Sequence, residues 1–250
     1  MTNTEPGMQP GEALHQENER LRRENSRFVG WLSLLTHDLR NAFTTLQMLI
    51  SAHREGTIDD KQFFQLLVRL EADAATNLKM LEDSNAYIRT QLEDFEPQNE
   101  EVDLQALVKE LSERLHARLD AKQLTLQIDV PHDAVLVTDR VLLRYILLAL
   151  LENAVKFSHP GQNIDLKLQF REEQVVISVS DTGTGMTEEQ LGQLFVLGSA
   201  RYNGTAGETG AGLGLKIADT FARQLGGRLT VSSQPGKGTA VAVWLPQNER

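Results

Sequence analysis

One apolar stripe of unusual length constrains the N-terminal part of this chain. From Leu14 to Leu49, residues recur in alternating steps of three and four, which predicts a coiled coil rather than an ordinary globular helix. Asn18 and Asn25 fall on a positions, where a buried Asn fixes register and a two-stranded state. The stripe consists of Leu14, Asn18, Leu21, Asn25, Phe28, Leu32, Leu35, Leu39, Ala42, Leu46 and Leu49.

A second helical stripe, from Phe63 to Leu92, follows a turn predicted over Arg54 to Asp60. Two helices alone bury too little apolar surface, so we expect the antiparallel helical hairpin to pair with a second copy and form a dimeric four-helix bundle. Packing of the hairpin inside its own chain is the alternative. Residues 14–95 are assigned to this region, and residues 1–13 to a disordered N-terminus.

The pattern changes after Pro97, and residues 96–101 are interpreted as a polar linker. Residues 102–250 mix helices with short strands, which predicts an α+β fold: an α/β sandwich with helices on one face of a mixed sheet. Helices are predicted over Leu104–Gln123, Asp139–Phe157 and Leu213–Leu225, and strands over Leu124–Val130, Val135–Val137, Ile164–Phe170, Val175–Val179, Leu229–Ser232 and Thr239–Leu245.

Composition excludes several classes of protein. Cysteine is absent, which excludes disulfides, thiolate metal sites and cysteine nucleophiles, and suits a reducing compartment. The formal net charge of -10 argues against nucleic-acid binding and against attraction to anionic membranes. No apolar run reaches the roughly 18 residues that a membrane span needs. We therefore expect a cytoplasmic protein without a membrane span.

Glycine is concentrated late in the chain, since 13 of its 18 copies lie between Gly183 and Gly238. Residues 181–185 (DTGTG) follow a predicted strand, and residues 210–215 (GAGLGL) open a predicted helix, where amides and the helix dipole favour a phosphate. The second cluster is neither a P-loop nor a dinucleotide fingerprint, because no Gly-Lys-Ser/Thr follows and no strand directly precedes it. A plain turn is the alternative for either cluster taken alone.

Two polar residues lie on the apolar helix predicted over Asp139–Phe157. Asn153 would lose its hydration there unless it were bound, and its amide oxygen suits Mg²⁺, which takes oxygen ligands beside phosphates. Lys156, nearly one turn later, could reach the same phosphates. Taken singly, each has a simpler explanation, as a hydrogen bond within the helix and as a solvated surface charge.

These motifs resemble, in their order, the boxes of histidine-kinase catalytic domains and of the wider ATP-binding fold shared with gyrase, Hsp90 and MutL. Asn153 with Lys156 and the two glycine clusters match the nucleotide boxes. Residues 194–195 (LF) resemble the phenylalanine box, and residues 235–239 (PGKGT) resemble the last hairpin. Residues 36–41 (THDLRN) resemble the phospho-acceptor box. The resemblance covers about residues 27–246.

The resemblance implies nucleotide-binding roles for the matched residues. Asp181 would accept the adenine amine, Asn153 would hold Mg²⁺, and residues 198–209 would form a mobile lid over ATP. The other expected contacts are Lys156 at the phosphates, Gly183 and Gly185 around the base, Phe195, and Gly210, Gly212, Leu213 and Gly214 near the phosphates.

His37 is the expected phospho-acceptor. With Leu35 at d and Leu39 at a, His37 occupies the outward f position, where a separate domain can reach it. A neutral imidazole is the nucleophile at pH 7, and Asp38 can accept the proton of the far ring nitrogen. Asn41, one turn later, resembles the residue by which some relatives dephosphorylate their regulator; a plain surface residue is the alternative.

Three positions depart from the family pattern. Ala149 stands where many relatives have a second Asn or, in the ATPases, a general-base Glu, so water activation by that route is excluded. Ala42 replaces a proline, and the helix kink expected there is in doubt. Gly198 stands where the phenylalanine box usually has a second Phe.

The sequence is therefore interpreted as a homodimeric sensor histidine kinase. It would autophosphorylate His37 from Mg-ATP and transfer the phosphoryl group to an Asp on the receiver domain of a separate response regulator. Its signal would arrive through an upstream sensory partner, through the tip of the coiled coil, or through an upstream region if the chain is a fragment. An anti-sigma-type serine/threonine kinase, which would need no His37, and a non-catalytic ATP-binding scaffold are the alternatives.

Overall fold

The computed structural model describes residues 36, 40, 41, 43–90, 95–196, 202–208 and 212–247. It divides into two compact units, Met1–Asn77 and Leu78–Arg250. Residues 1–35, which hold most of the predicted coiled coil, lie outside the described residues. Within the described ranges, no helix combines the length and the apolar character that crossing a membrane requires.

The first unit contains two helices joined by a short turn. Residues 43–54 form α1, and α2 spans Asp60–Thr90, continuing into the second unit. The side chains of Asp59 and Gln62 each accept a hydrogen bond from the other's backbone N–H, at 2.7 and 3.1 Å, which closes a capping box at the start of α2. His53 stacks on Phe63 with ring centroids 4.4 Å apart. The turn therefore lies where the sequence predicts it, and the pairing with a second copy stays a prediction.

A five-stranded mixed sheet organises the second unit. Its strand order is β2-β4-β5-β7-β6, with β2 parallel to β4 and every other neighbouring pair antiparallel. The strands are β2 Thr125–Asp129, β4 Asn163–Arg171, β5 Gln174–Asp181, β6 Arg228–Gln234 and β7 Gly238–Pro246. The mixed sheet predicted from the sequence is confirmed.

One face of this sheet is apolar because buried residues recur with period two along its strands. The register places Leu166 opposite Val179, and Val179 opposite Val241, so their side chains share that face. Three helices pack there to form the core: α3 Leu104–Ala121, α4 Arg140–Phe157 and α6 Gly214–Gln224. The opposite face carries mostly polar residues, which is the pattern of a two-layer sandwich.

Two elements were not predicted from the sequence. β1 Asn99–Asp103 pairs antiparallel with β3 Val135–Asp139, so the interpretation of residues 96–101 as a linker is wrong for residues 99–101. The sequence hid this strand because Val102 is its only apolar residue. The short helix α5, Glu188–Gln193, begins at a capping box between Thr187 and Gln190, which is a readable signal.

Asp139 connects three parts of the second unit through one buried carboxylate. Its Oδ1 accepts hydrogen bonds from the backbone N–H groups of Val141 and Leu142, at 2.9 and 3.0 Å, and so caps α4. Its Oδ2 accepts a third, at 2.9 Å, from the N–H of Gln98, just before β1. The side chain is 7% exposed, so water cannot readily replace these bonds.

We expect Asp139→Ala to lower the free energy of unfolding by about 2 kcal/mol, roughly half from the lost helix cap and half from the unpaired N–H of Gln98. Urea unfolding followed by circular dichroism measures this change. Asp129→Ala, at an exposed position that ends β2, is the matched control and should change stability by less than about 0.5 kcal/mol. Equal losses in the two variants would contradict the assigned role of Asp139.

Candidate functional site

Helix α4 carries two of the predicted site residues near its C-terminal end. Most of its side chains are buried, because it packs against α3, α6 and the sheet, so polar residues are few. Asn153 and Lys156 are half-buried. The buried residues are Leu142, Leu143, Ile146, Leu147, Leu148, Ala149, Leu150, Leu151, Ala154 and Val155.

The side chain of Asn153 is oriented by its own helix. Its Nδ2 donates a 2.8 Å hydrogen bond to the carbonyl oxygen of Ala149, one turn earlier. Because the amide nitrogen is used within the helix, the amide oxygen is the atom that Asn153 can offer to a ligand. An amide oxygen is a hard donor of the kind that Mg²⁺ takes, so the residue fits the predicted metal. The hydrogen bond within the helix and the predicted ligand role are therefore compatible.

The start of α6 lies close to this part of α4. A Cβ added to Gly214 would meet the Cβ of Ala149 at 3.7 Å, so the two helices approach where both residues are small. Leu213, the residue before the helix, is buried, and Gly212 has a φ of +69°. Leu213 at the cap position supplies no side-chain hydrogen bond to α6, and the positive end of the helix dipole suits an anionic ligand. Gly210 lies outside the described residues.

Asp181 ends β5 with a half-buried carboxylate. Its Oδ1 accepts hydrogen bonds from the backbone N–H groups of Gly183, at 2.8 Å, and of Thr239, at 3.3 Å. Burial raises the pKa of Asp181, and these two hydrogen bonds offset part of that rise. Because both bonds use Oδ1, Oδ2 is the oxygen that can accept an amine from a ligand.

Gly183 and Gly185 allow the loop after Asp181 to approach the protein's own backbone. A Cβ on Gly183 would collide with the carbonyl oxygen of Phe157, which ends α4. Gly185 has a φ of +64°, and a Cβ there would collide with the carbonyl oxygen of Gln234 in β6. The two glycines thus hold the loop between α4 and the β6–β7 hairpin. In the structure, these two glycines allow close contacts within the protein itself. The family resemblance had implied a close approach to the base of the nucleotide.

Lys156 is not the solvated surface charge that its sequence position alone suggests. Its Nζ lies 5.0 Å from the centroid of the Phe157 ring. Burial lowers the pKa of Lys156, Arg118 and Lys122 lower it further by repulsion, and Glu208 acts in the opposite direction. The ammonium group is therefore partly desolvated and strengthens any interaction with an anion.

The remaining predicted residues are not part of the contacts around the C-terminal end of α4 that the structure describes. Phe195 lies in the turn after α5, is 40% exposed, and takes no part in the contacts described above. Asn41 is an exposed helical residue of the first unit. His37 and Asp38 lie outside the described residues.

Sequence reasoning missed a buried ion pair beside Lys156. Lys122, the residue after α3, pairs with Glu208 in the loop that precedes the second glycine cluster. No spacing pattern marks a single buried lysine, because its partners come from distant parts of the chain. Among the described residues, no group of three His, Asp or Glu side chains is placed to hold a metal ion.

Comparison with protein families matches residues 138–249 to the histidine kinase-, DNA gyrase B-, and HSP90-like ATPases. The adaptive-response sensory kinase SasA of Synechococcus sp. (strain CC9311) is 32% identical over 94% of this chain, and the SasA of Synechococcus elongatus is 30% identical over 96%. The chain is therefore similar to these sensory kinases along most of its length, and its residues 138–249 match a histidine kinase-like ATPase domain. It spans 62% and 65% of the length of these two relatives.

Solved structures of histidine kinases share its fold. The Acinetobacter baumannii histidine kinase AdeS covers 85% of this chain, with a TM-score of 0.68 and 21% identity, and 98% of the AdeS chain is matched. The histidine kinase ThkA, solved in complex with the response regulator protein TrrA, covers 94% of it with a TM-score of 0.65 and 19% identity, and 66% of that chain is matched.

We expect Asp181→Asn to weaken ATP binding roughly tenfold to a hundredfold and to lower the preference for ATP over GTP. The reason is that an amide cannot replace a carboxylate acceptor without also presenting a donor. Titration of each variant with ATP and GTP measures both quantities. Asp165→Asn, on the opposite face of the neighbouring strand β4, is the control and should bind like the wild type.

The same variant predicts a pH dependence. Because burial raises the pKa of Asp181, its carboxylate takes up a proton at a higher pH than an ordinary Asp, and wild-type ATP affinity should fall as the pH decreases through that raised pKa. Asp181→Asn should lack this fall. A pH profile shared by the variant and the wild type would contradict the assignment.

Proposed function

We propose that this chain is an ATP-dependent protein histidine kinase of two-component signalling. The observation that carries the proposal is the gathering of Asn153, Lys156 and the Asp181 loop at the C-terminal end of α4, with the start of α6 beside them. The match of residues 138–249 to the histidine kinase-like ATPases, the likeness of the chain to the SasA sensory kinases and the order of its sequence motifs support the same function. The residues around α4 offer an acceptor for a base, an oxygen ligand for a metal, and a cation beside a helix N-terminus for phosphates.

ATP and Mg²⁺ fit the chemistry of these residues. Asp181 would accept the adenine amine through Oδ2, and Lys156 with the first amides of α6 would bind the phosphates. Asn153 would hold Mg²⁺ through its amide oxygen, with phosphates completing the ligand set. When bound, ATP would supply the γ-phosphoryl group, and Mg²⁺ held by Asn153 would supply charge neutralisation for its transfer.

His37 would receive the phosphoryl group. The attacking ring nitrogen must be neutral, which is the majority form of an ordinary histidine at pH 7. Asp38 would hold the proton of the other ring nitrogen, orient the ring and offset the positive charge that forms. The new bond joins the attacking nitrogen of His37 to the γ-phosphorus. The bond between the γ-phosphorus and the bridging oxygen breaks, and ADP leaves with that oxygen.

Residues 14–95 would form the dimerisation and phospho-acceptor region, and residues 102–250 the catalytic domain. The heptad seam and the capped turn before α2 support a hairpin that pairs with a second copy in a four-helix bundle. The receiver domain of a response regulator is the proposed partner, supported by the complex of ThkA with TrrA. The input signal would arrive through a further, upstream sensory partner.

We expect His37→Gln to abolish incorporation of label from γ-labelled ATP while ATP affinity stays at the wild-type value, because the acceptor and the nucleotide site are separate. Acid treatment of the wild-type phosphoprotein should release the label, since a phosphoramidate is acid-labile and a phosphoserine or phosphothreonine is not. Acid-stable label would indicate the serine/threonine kinase alternative. ATP binding without any label would indicate the scaffold.

The chain is also proposed to dephosphorylate its regulator through Asn41. Asn41 is exposed and helical, and it follows His37 by four residues in the sequence. If the predicted helix includes His37, a receiver domain docked there would place its phospho-Asp near the Asn41 amide. The amide would orient a water for in-line attack, supplying position rather than basicity.

We expect Asn41→Ala to retain autophosphorylation and to lose acceleration of phospho-regulator decay. Decay of a labelled receiver domain, measured with and without each variant, gives both rates. Thr44→Ala, at an exposed position one turn further along α1, is the control and should keep both activities. Equal decay rates with wild type and Asn41→Ala would exclude the role.

A further inference from the structure

Lys122 is a buried cation that the proposed reaction does not use. Its residue is 6% exposed, and its Nζ lies at the C-terminal end of α4. There Nζ donates hydrogen bonds to the backbone carbonyl oxygens of Val155, Lys156 and Ser158, at 2.8, 3.0 and 3.3 Å. A cation at this end of a helix is favourable, because the helix dipole and the unpaired carbonyls make the end negative.

The same ammonium group holds a loop from a distant part of the sequence. We call residues 204–208 the anchored segment. Lys122 Nζ donates a 2.8 Å hydrogen bond to Thr205 Oγ1 and forms an ion pair with the carboxylate of Glu208. The backbone N–H of Thr205 donates a 3.1 Å hydrogen bond to the carbonyl oxygen of Lys156. The anchored segment is thus tied to α4 both directly and through Lys122.

Both members of the ion pair, Lys122 and Glu208, have neighbours that stabilise their charged forms. A buried lysine is costly unless acceptors surround it, and Lys122 has carbonyl, hydroxyl and carboxylate oxygens around it. Although burial raises the pKa of Glu208, hydrogen bonds from Lys122 and from backbone amides outweigh that effect and lower the pKa overall. The carboxylate therefore stays ionised beside Lys122 at neutral pH.

The anchored segment packs directly on Lys156. A Cβ on Gly204 would lie 2.7 Å from Lys156 Cγ and would also collide with the Glu208 carboxylate. Glu208 is in addition the acidic group that raises the pKa of Lys156, against the effects of burial, Arg118 and Lys122. Both the position and the charge of the Lys156 side chain therefore depend on where this segment lies.

We propose that Lys122 is a positioning residue of the nucleotide site, because it holds residues 204–208 on the end of α4 and so fixes Lys156 for the phosphates of ATP. Lys122 is not itself a phosphate ligand, since its donors are used by protein acceptors. This inference rests on the proposed function. It assigns Lys122 to ATP binding and not to the transfer step.

The test is Lys122→Met in the full chain, which keeps an unbranched side chain one atom shorter and removes its charge. KM for ATP in autophosphorylation should rise about tenfold, while kcat at saturating ATP should change less than about twofold. Lys109→Met, at an exposed position on α3, is the matched control and should leave both constants unchanged. An unchanged KM in Lys122→Met, or a loss of kcat with KM constant, would overturn the proposal.

A second variant separates positioning from a general loss of stability. Thr205→Val removes a hydroxyl bound to Lys122 Nζ at a half-exposed site, so the fold should survive even if Lys122→Met unfolds. KM for ATP should rise several-fold with an unchanged unfolding midpoint. Combined with Glu208→Gln, Lys122→Met should cost less than the sum of the single changes, because both remove one ion pair. Additive effects, or a KM of Thr205→Val equal to that of the wild type, would contradict the mechanism.

Direct titration with ADP and ATP distinguishes a failure of the proposed function from a failure of the role of Lys122. Wild-type protein that binds no ADP would refute the proposed function. Wild-type protein that binds ADP and ATP, beside a folded Lys122→Met variant with the same ATP affinity, would refute only the role of Lys122.

Discussion

The carbonyl groups at the C-terminal end of α4 are the constraint on which the site depends. A buried helix leaves its last carbonyls without partners in the helix, and water cannot reach all of them. Here three separate parts of the chain supply the donors. Ala154 O accepts from the N–H and the hydroxyl of Ser158, Lys156 O from Thr205 N–H and Lys122 Nζ, and Phe157 O from Thr184 N–H. The loops that carry the candidate site are held in place by these bonds.

This arrangement explains why the two ends of the site differ in charge. The Thr184 N–H reaches Phe157 only because Gly183 has no side chain, and in the same tight turn the Gly183 N–H donates a hydrogen bond to Asp181 Oδ1. The anchored segment reaches α4 through Lys122, which brings cations together near Lys156. An acidic acceptor and a cationic region are therefore both held at one helix end, which suits a ligand that carries a base and phosphates.

The sequence predicted those features that repeat or cluster. The strands predicted over Ile164–Phe170, Val175–Val179 and Thr239–Leu245 are found as β4, β5 and β7, and the glycine clusters marked the loops beside α4 and α6. β1 stayed hidden because its pairing uses backbone groups and its side chains are polar. Lys122 stayed hidden for a related reason: a buried lysine is defined by acceptors from residues 155–158 and 205–208, which no local pattern connects. Long-range polar contacts were therefore not predicted from the sequence alone.

The departure at Ala149 makes this polar network more important. A longer polar residue at that position could share the metal and phosphates with Asn153, but Ala149 is buried against Gly214 and offers only a methyl group. In the proposed site, the metal is then bound by Asn153, and the phosphates are bound by Lys156 and the first amides of α6. Because Lys156 has a flexible stem and is a single point charge, its contribution depends on being held before the ligand arrives. The contacts that hold it run through Gly204, Thr205 and Glu208 to Lys122, so a residue remote from the glycine motifs would set how well those motifs work.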